Sequence, residues 1–457
     1  MKRVVAVSAL LALLGIAVAC GNSSSSSQTG PQNDQPGGVF VTGEDAPLPS
    51  VLAFNTNLDK MTLNNGSTSV TILSTSQTVD FARLLGLRTL VGFSPVTPGT
   101  YSSATIQLSN PVISYLDLGT SPPSVATMSG TLTRSTVTVA LSKPLVVGQN
   151  GLAGLHMEFD LRQSLQVDSN TGQLTGVVNP QFDLRPVKPA DPDAEITDLR
   201  GGLVSVGSSS FVLQRIGGHD ITIDVNSDTQ YSGTNSLSTL IPPAVIEVDG
   251  IPQGDGSVLA REVEVITTDK AFLSGRIVTV NPSSGPAQTV TLLVGEELPA
   301  ISNIQVGFPV TLDVSGVTDY DIRHFDTFFT EFLFNASSMV VGQRIAVGGS
   351  LDANQNFVPA RIVLRRQGTV GDLVLNSVTI TSGNRGSFEL QNHSLFGYLL
   401  GTPLMVETGD NTLFLNINGL SGIQSGGSMT LAASGLILKD PTSGNPQLWA
   451  HTVAVLP

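Results

Sequence analysis

The chain has 457 residues, more than the roughly 250–300 at which one hydrophobic core stops growing, so several domains are expected. Charged residues make up 13% against 40% hydrophobic, and Gly (47) and Pro (26) are frequent, which argues against long solvated helices and for an all-β chain of short strands and turns. The formal charge of −14, with no basic run beyond Arg365-Arg366, argues against nucleic acid as a partner, because binding phosphates needs clustered cations.

Met1-Lys2-Arg3 supplies a positive start, and the apolar run from Val4 to Val18 is shorter than the about 20 residues that span a bilayer. Ala17-Val18-Ala19-Cys20 resembles a lipobox, the site where bacterial lipoprotein signals are cut and the new terminal cysteine is acylated, with Ala17 standing where that family usually carries Leu. The resemblance implies a signal peptide over residues 1–19 and lipidation of Cys20. Because Cys20 is the only cysteine, no internal disulfide is available and the domains must be held by packed cores. Residues 20–38, rich in Ser, Gln, Gly and Pro, read as a flexible tether with nothing to bury. The membrane is therefore the expected partner through an N-terminal lipid anchor. By resemblance to lipoprotein sorting in two-membrane bacteria, Gly21 after the cysteine implies the outer membrane of the cell envelope.

Over residues 39–187, apolar runs such as Val51-Leu52-Ala53-Phe54, Ser69-Val70-Thr71-Ile72-Leu73 and Thr105-Ile106-Gln107-Leu108 alternate with turn signals, as in a β-sandwich. Asn64-Asn65-Gly66 marks a hairpin, since Asn and Gly tolerate positive φ. Gly43-Glu44-Asp45-Ala46-Pro47, Thr78-Val79-Asp80-Phe81-Ala82-Arg83-Leu84 and Pro98-Gly99-Thr100-Tyr101 resemble a bacterial envelope family known as domain of unknown function 4382, mainly across residues 38–115. These motifs read as architectural, and the family implies no activity.

Residues 188–195, Lys188-Pro189-Ala190-Asp191-Pro192-Asp193-Ala194-Glu195, read as a stiff, charged linker. Asp191, Asp193 and Glu195 carry oxygens, but Pro192 and the lack of a Gly-pivoted loop leave no calcium cage. Beyond the linker a hairpin pattern recurs. It runs from Val245-Ile246-Glu247-Val248-Asp249-Gly250 to Val258-Leu259-Ala260-Arg261, from Gly342 to Ala360-Arg361, and from Gly426 to Ala450-His451. With Ala260, Ala360 and Ala450 aligned, the copies define tandem units over residues 196–268, 269–366 and 367–457. They resemble domain of unknown function 5666, which implies small β-barrels. The expected fold is all-β, an N-terminal β-sandwich followed by tandem small β-barrel-like domains.

The chemistry is sparse. His156, His219, His324, His393 and His451 stand apart, without metal-ligand spacing, and no nucleophile elbow, phosphate loop or dinucleotide turn occurs, so no catalytic residue, metal or cofactor is expected. Phe325, Phe328, Phe329 and Phe332 fall at one helical face within an aromatic segment of residues 317–338. They are read as an insertion completing the second barrel's core, with an exposed docking patch as the alternative. The expectation is a non-enzymatic binding or structural module of the envelope, with an envelope protein or a glycan as partner. A carbohydrate-binding surface protein and an envelope hydrolase are the alternatives.

Overall fold

Gly37–Ala46 opens the fold by inserting between strands that follow it by roughly fifty and more than a hundred residues. It pairs antiparallel with Thr89–Val96 on one side and parallel with Leu152–Asp160 on the other, and Phe182–Val187 extends that sheet. The facing sheet is built on two long strands, Val51–Asn64 and Gly99–Asp117, flanked by Ser69–Leu73, Gln77–Asp80, Ser124–Ser129 and Thr136–Val147. Inward residues of Val51–Asn64 run Phe54, Thr56, Leu58 and then Met61, Leu63. The phase change falls at the irregularity between Leu58 and Lys60, where an extra residue turns the following side chains back to the core. Phe54 stacks on Phe159 at 5.1 Å and Phe81 lies 4.9 Å from the same ring, closing the sandwich at one end.

These observations come from a computed structural model that describes residues 35–457, apart from 47, 49–50, 67, 85–86, 118–119, 121–123, 170, 172, 192–193, 216–218, 270, 324–331, 393–402, 426 and 457. Cys20, the signal and most of the tether lie outside the described residues, as do His324, His393, Phe325, Phe328 and Phe329. About 62% of the chain is strand and about 6% helix, so the protein is all-β.

Three units of one topology follow the sandwich. In the first, Ile196–Val206 pairs with Ser210–Arg215 and Val245–Pro252, Ser210–Arg215 pairs with Asp220–Asp224, and Val245–Pro252 pairs with Val258–Thr267. A parallel contact between Asp220–Asp224 and Val258–Thr267 closes a five-stranded ring. The third unit closes in the same order through Gln367–Leu373, Arg385–Asn392, Leu404–Thr408, Pro446–Val455 and Thr430–Lys439. The second repeats the order with Ala271–Asn281, Thr289–Leu298, Pro309–Asp313, Arg344–Leu351 and Phe357–Arg365, without ladder bonds between Pro309–Asp313 and Phe357–Arg365. In each, a short strand (Gln230–Ser232, Asp319–Ile322, Leu413–Leu415) lies parallel to the last one.

A bulged hairpin marks every copy. Gly250, Gly349 and Gly435 each sit at a register shift, and a Cβ there would lie 2.4, 2.2 and 1.9 Å from the carbonyl oxygens of Leu259, Val358 and Trp449. Only glycine permits that approach. The residues facing these glycines are Ala260, Pro359 and Ala450, and the extra residues are Arg261, Ala360 and His451. The sequence alignment of the second copy was thus one residue out, because Ala360 occupies the bulge and Pro359 takes the position of the alanines.

Gln35–Pro457 forms one compact unit. Phe40, Leu90 and Val187 of the sandwich share a core with Ile196, Leu213, Ile246 and Val263 of the first barrel. The described residues between them make close contacts. Ala194 is buried, Asp191 accepts from the backbone N–H of Lys188 at 2.8 Å, and Arg88 donates to the Glu195 carbonyl at 3.0 Å. Leu436, Leu438 and Trp449 of the third unit pack into the core of the second, and the buried Gln343 amide donates to the Ile437 carbonyl at 3.1 Å.

Candidate functional site at a three-module junction

Strand alternation in the first barrel sends Leu199, Ile246, Val248, Val263 and Val265 inward and Asp198, Arg200, Glu247, Asp249, Glu262 and Glu264 outward. That outward face is covered by the second barrel, which brings Arg323, Arg344, Arg365 and Glu296, and by the sandwich, which brings Arg83 from the 3-10 turn Phe81–Leu84. Arg200 reaches Asp198 at 2.7 Å, Glu296 at 2.7 Å and Glu247 at 3.3 Å. Arg323 reaches Asp249 at 2.7 Å, Glu247 at 3.1 Å and Glu264 at 3.4 Å. Arg365 bridges Glu247 and Glu264, the latter at 2.9 Å, and Arg83 bridges Asp198 and Glu296, the latter at 3.4 Å. The first barrel thus presents carboxylates and the second mainly guanidinium groups.

At Asp198, Glu247, Asp80 and Asp249 burial opposes ionisation and nearby arginines favour it, and which prevails differs from group to group. For Asp198, Arg200, Arg83 and Arg344 overcome burial and hold the carboxyl well below its usual range. Glu247 is likewise lowered against burial by Arg365, Arg323 and Arg200. Burial wins at Asp80 and Asp249, each pushed up to about 6 despite Arg83 and Arg323. It also draws the guanidinium groups of Arg276 and Arg344 down to about 10.

A cavity of about 340 Å³ opens beside this network, with walls from all three modules. Asn55, Gln77, Thr78 and Asp80 come from the sandwich, Asp198, Arg200 and Arg215 from the first barrel, and Glu296, Glu297 and Gln305 from the second. The Gln77 amide donates to the Val91 carbonyl, and Asp80 accepts from the Phe54 N–H at 2.9 Å. Arg215 donates to the carbonyls of Leu90 at 2.7 Å and His219 at 3.1 Å. Leu90, Val91, Val112 and Val306 supply apolar wall between these groups, the mixture typical of small-molecule sites. A second cavity of about 40 Å³ shares Asp80 and Arg83 and reaches Arg276 and Arg344.

None of the described histidines or aromatic residues singled out by sequence lines the cavity, whereas Thr78, Asp80 and Arg83 of the 78–84 motif do. His156 is buried in the sandwich with a ring nitrogen 3.3 Å from the Thr42 hydroxyl, and His451 lies 3.3 Å from Arg366. Among the described residues, no group of three or more His, Cys, Asp or Glu is arranged to hold a metal. At the ends of the aromatic segment, Phe334 is buried in the second barrel's core beside Tyr320, and Phe332 packs on Trp449 at 4.7 Å. The sequence missed the junction, although Glu247-Val248-Asp249 and Glu262-Val263-Glu264 place acids at period two, the one local sign of a charged strand face.

Residues 200–264 match the family described as domain of unknown function DUF5666. The match begins at Arg200 and ends at Glu264, both members of the ion network. No curated protein matches the chain.

Proposed function

We propose that the protein is a lipid-anchored lipoprotein of the bacterial cell envelope, with a non-enzymatic binding role centred on the three-module junction. The observation that carries the binding role is the 340 Å³ cavity, to which the sandwich and both of the first two barrels contribute polar side chains. Such sites form preferentially where domains meet. Asp198, Glu247 and Glu264 are engaged by arginines, so these carboxylates position the walls rather than stand ready as acids or bases. The anchoring rests on Met1-Lys2-Arg3, the apolar run and Ala17-Val18-Ala19-Cys20, and the N-terminal domain on its resemblance to domain of unknown function 4382. No helix among the described residues is long and apolar enough to cross a membrane.

The full chain and its Cys20→Ser variant, expressed in a two-membrane bacterium, test the anchor. The parent is expected in the detergent-soluble membrane fraction and the variant in the soluble fraction. A variant that stays with the membrane overturns the anchor. A second reading, binding of a glycan, is favoured by the amide and hydroxyl groups of Asn55, Gln77, Thr78 and Gln305 along the cavity. Retention of the protein on a glycan array, lost on Gln77→Leu, is the expected outcome for that reading.

A further inference from the structure

We propose that the junction cavity binds a small zwitterion of amino-acid or dipeptide size, with Arg215 taking its carboxylate and Glu297 its ammonium group. The inference rests on the reading of the junction as a binding site and adds the class of ligand. It follows from which charges of the cavity wall are already matched. Arg83 and Arg200 face Asp198 and Glu296, so those four charges satisfy one another, and Asp80 is taken up by the backbone N–H groups of Phe54 and Arg83 beside the Arg83 guanidinium. Arg215 and Glu297 are different. Among the described residues no carboxylate pairs with Arg215 and no cation with Glu297, although both line the cavity.

The backbone holds both groups in place. Two backbone carbonyls, those of Leu90 and His219, fix the Arg215 fork through Nη1 and Nε, leaving the rest of its five N–H donors for a ligand. One Glu297 oxygen accepts from the Ile301 N–H at 3.1 Å, which fixes the carboxylate and leaves the other oxygen to accept. Burial depresses the Arg215 guanidinium and raises the Glu297 carboxyl, the directions expected of charges lacking a counter-ion. A ligand carrying both charges supplies both partners at once. A simple anion or cation leaves one wall uncompensated, and a neutral sugar leaves both. The volume of about 340 Å³ admits a dipeptide and is at the small end of ligand sites, roughly 300–1,000 Å³.

Calorimetric titration of the full chain in detergent decides the matter with four probes: alanyl-alanine, its N-acetyl derivative, its C-terminal amide and maltose. Alanyl-alanine is expected to bind, and blocking either terminus to weaken it about tenfold or more, the effect of one lost charge-assisted hydrogen bond. Arg215→Gln should erase the difference between alanyl-alanine and its amide while keeping the penalty for acetylation. Glu297→Gln should do the converse. This crossed pattern is read from ligand discrimination, so general destabilisation does not produce it. Blocked and free dipeptides binding equally overturn the inference, as does no heat at about 10 mM alanyl-alanine. Maltose binding that is lost in Arg215→Gln, without dipeptide binding, overturns the zwitterion and leaves the junction as a site. If neither binds, the junction reading falls as well, while the Cys20 anchor is judged separately.

Discussion

Asp80 and Asp198 are both buried aspartates at one junction, yet they ionise in opposite senses. Arginines surround Asp198, whereas Asp80 accepts from the backbone N–H groups of Phe54 and Arg83 and sits beside the Arg83 side chain with burial prevailing. Linkage gives the consequences a sign. With a folded pKa of about 6 against 3.8, Asp80 and Asp249 contribute stability that is complete below the lower value and lost as pH rises through the higher. Asp198 and Glu247 contribute stability above the ordinary carboxylate range and lose it as pH falls through their lowered values. Asp80→Asn keeps an acceptor for Phe54 and removes the buried charge. It is expected to flatten the fall in stability between pH 4 and 6 and to stabilise the protein at pH 7.5, by up to about 2–3 kcal/mol. Chemical denaturation of both proteins across that range checks it; a less stable variant at pH 7.5 would show that the arginines prevail over burial. In the sequence, Asp80 and Arg83 stand three residues apart in a motif read as architectural. Their chemistry was not legible because the carboxylates that meet Arg83, Asp198 and Glu296, lie more than a hundred residues away, and the burial that raises Asp80 is set by modules packed around it.

At the scale of elements, the bulged hairpin is the signature of the barrel unit. The glycine at its centre is set by a backbone approach, not by a turn, so an added methyl has nowhere to go. Gly435→Ala, whose Cβ would meet the Trp449 carbonyl at 1.9 Å, is expected to cost about 1–3 kcal/mol. Gly254→Ala, with open space around it, should stay within about 0.5 kcal/mol. Thermal denaturation of the two variants compares them, and equal melting temperatures would refute the steric account. The repeating hairpin itself was visible in sequence, because alternation and turn residues are local. The bulge was not, since one extra residue on a strand leaves no compositional mark, and the second copy was consequently aligned one residue out.

Over the whole molecule, the charged interface and the shared cores make the modules interdependent. Arg365 is buried between Glu247 and Glu264, so Arg365→Met leaves Glu247 to Arg200 and Arg323 and Glu264 to Arg323 alone, and should cost up to about 3–5 kcal/mol. Adding Glu264→Gln should recover part of that loss, since it removes a buried carboxylate left with Arg323 as its one cationic neighbour, and denaturant titration of the single and double variants measures it. Trp449, the only tryptophan, packs on Phe332 where the third barrel meets the second. Its fluorescence and the far-UV circular dichroism are expected to change in one coincident transition, shifted together by Arg365→Met. Separate transitions would mean that the third barrel unfolds independently.

The sequence by itself determined the strand-rich class, the sandwich followed by repeated barrels, and the residues expected to address the chain to a membrane. All of these rest on local signals: period-two alternation, turn formers and a terminal motif. It also set which side of each strand is polar. What covers that polar side was decided only by the tertiary structure. Glu247, Asp249, Glu262 and Glu264 alternate with valines and isoleucine as solvent-facing acids would, and the burial of Glu247, Asp249 and Glu264 depends on Arg323 and Arg365 arriving from the next barrel. Alternation records that a face is charged, but only the docking of another module decides whether water or arginine neutralises it.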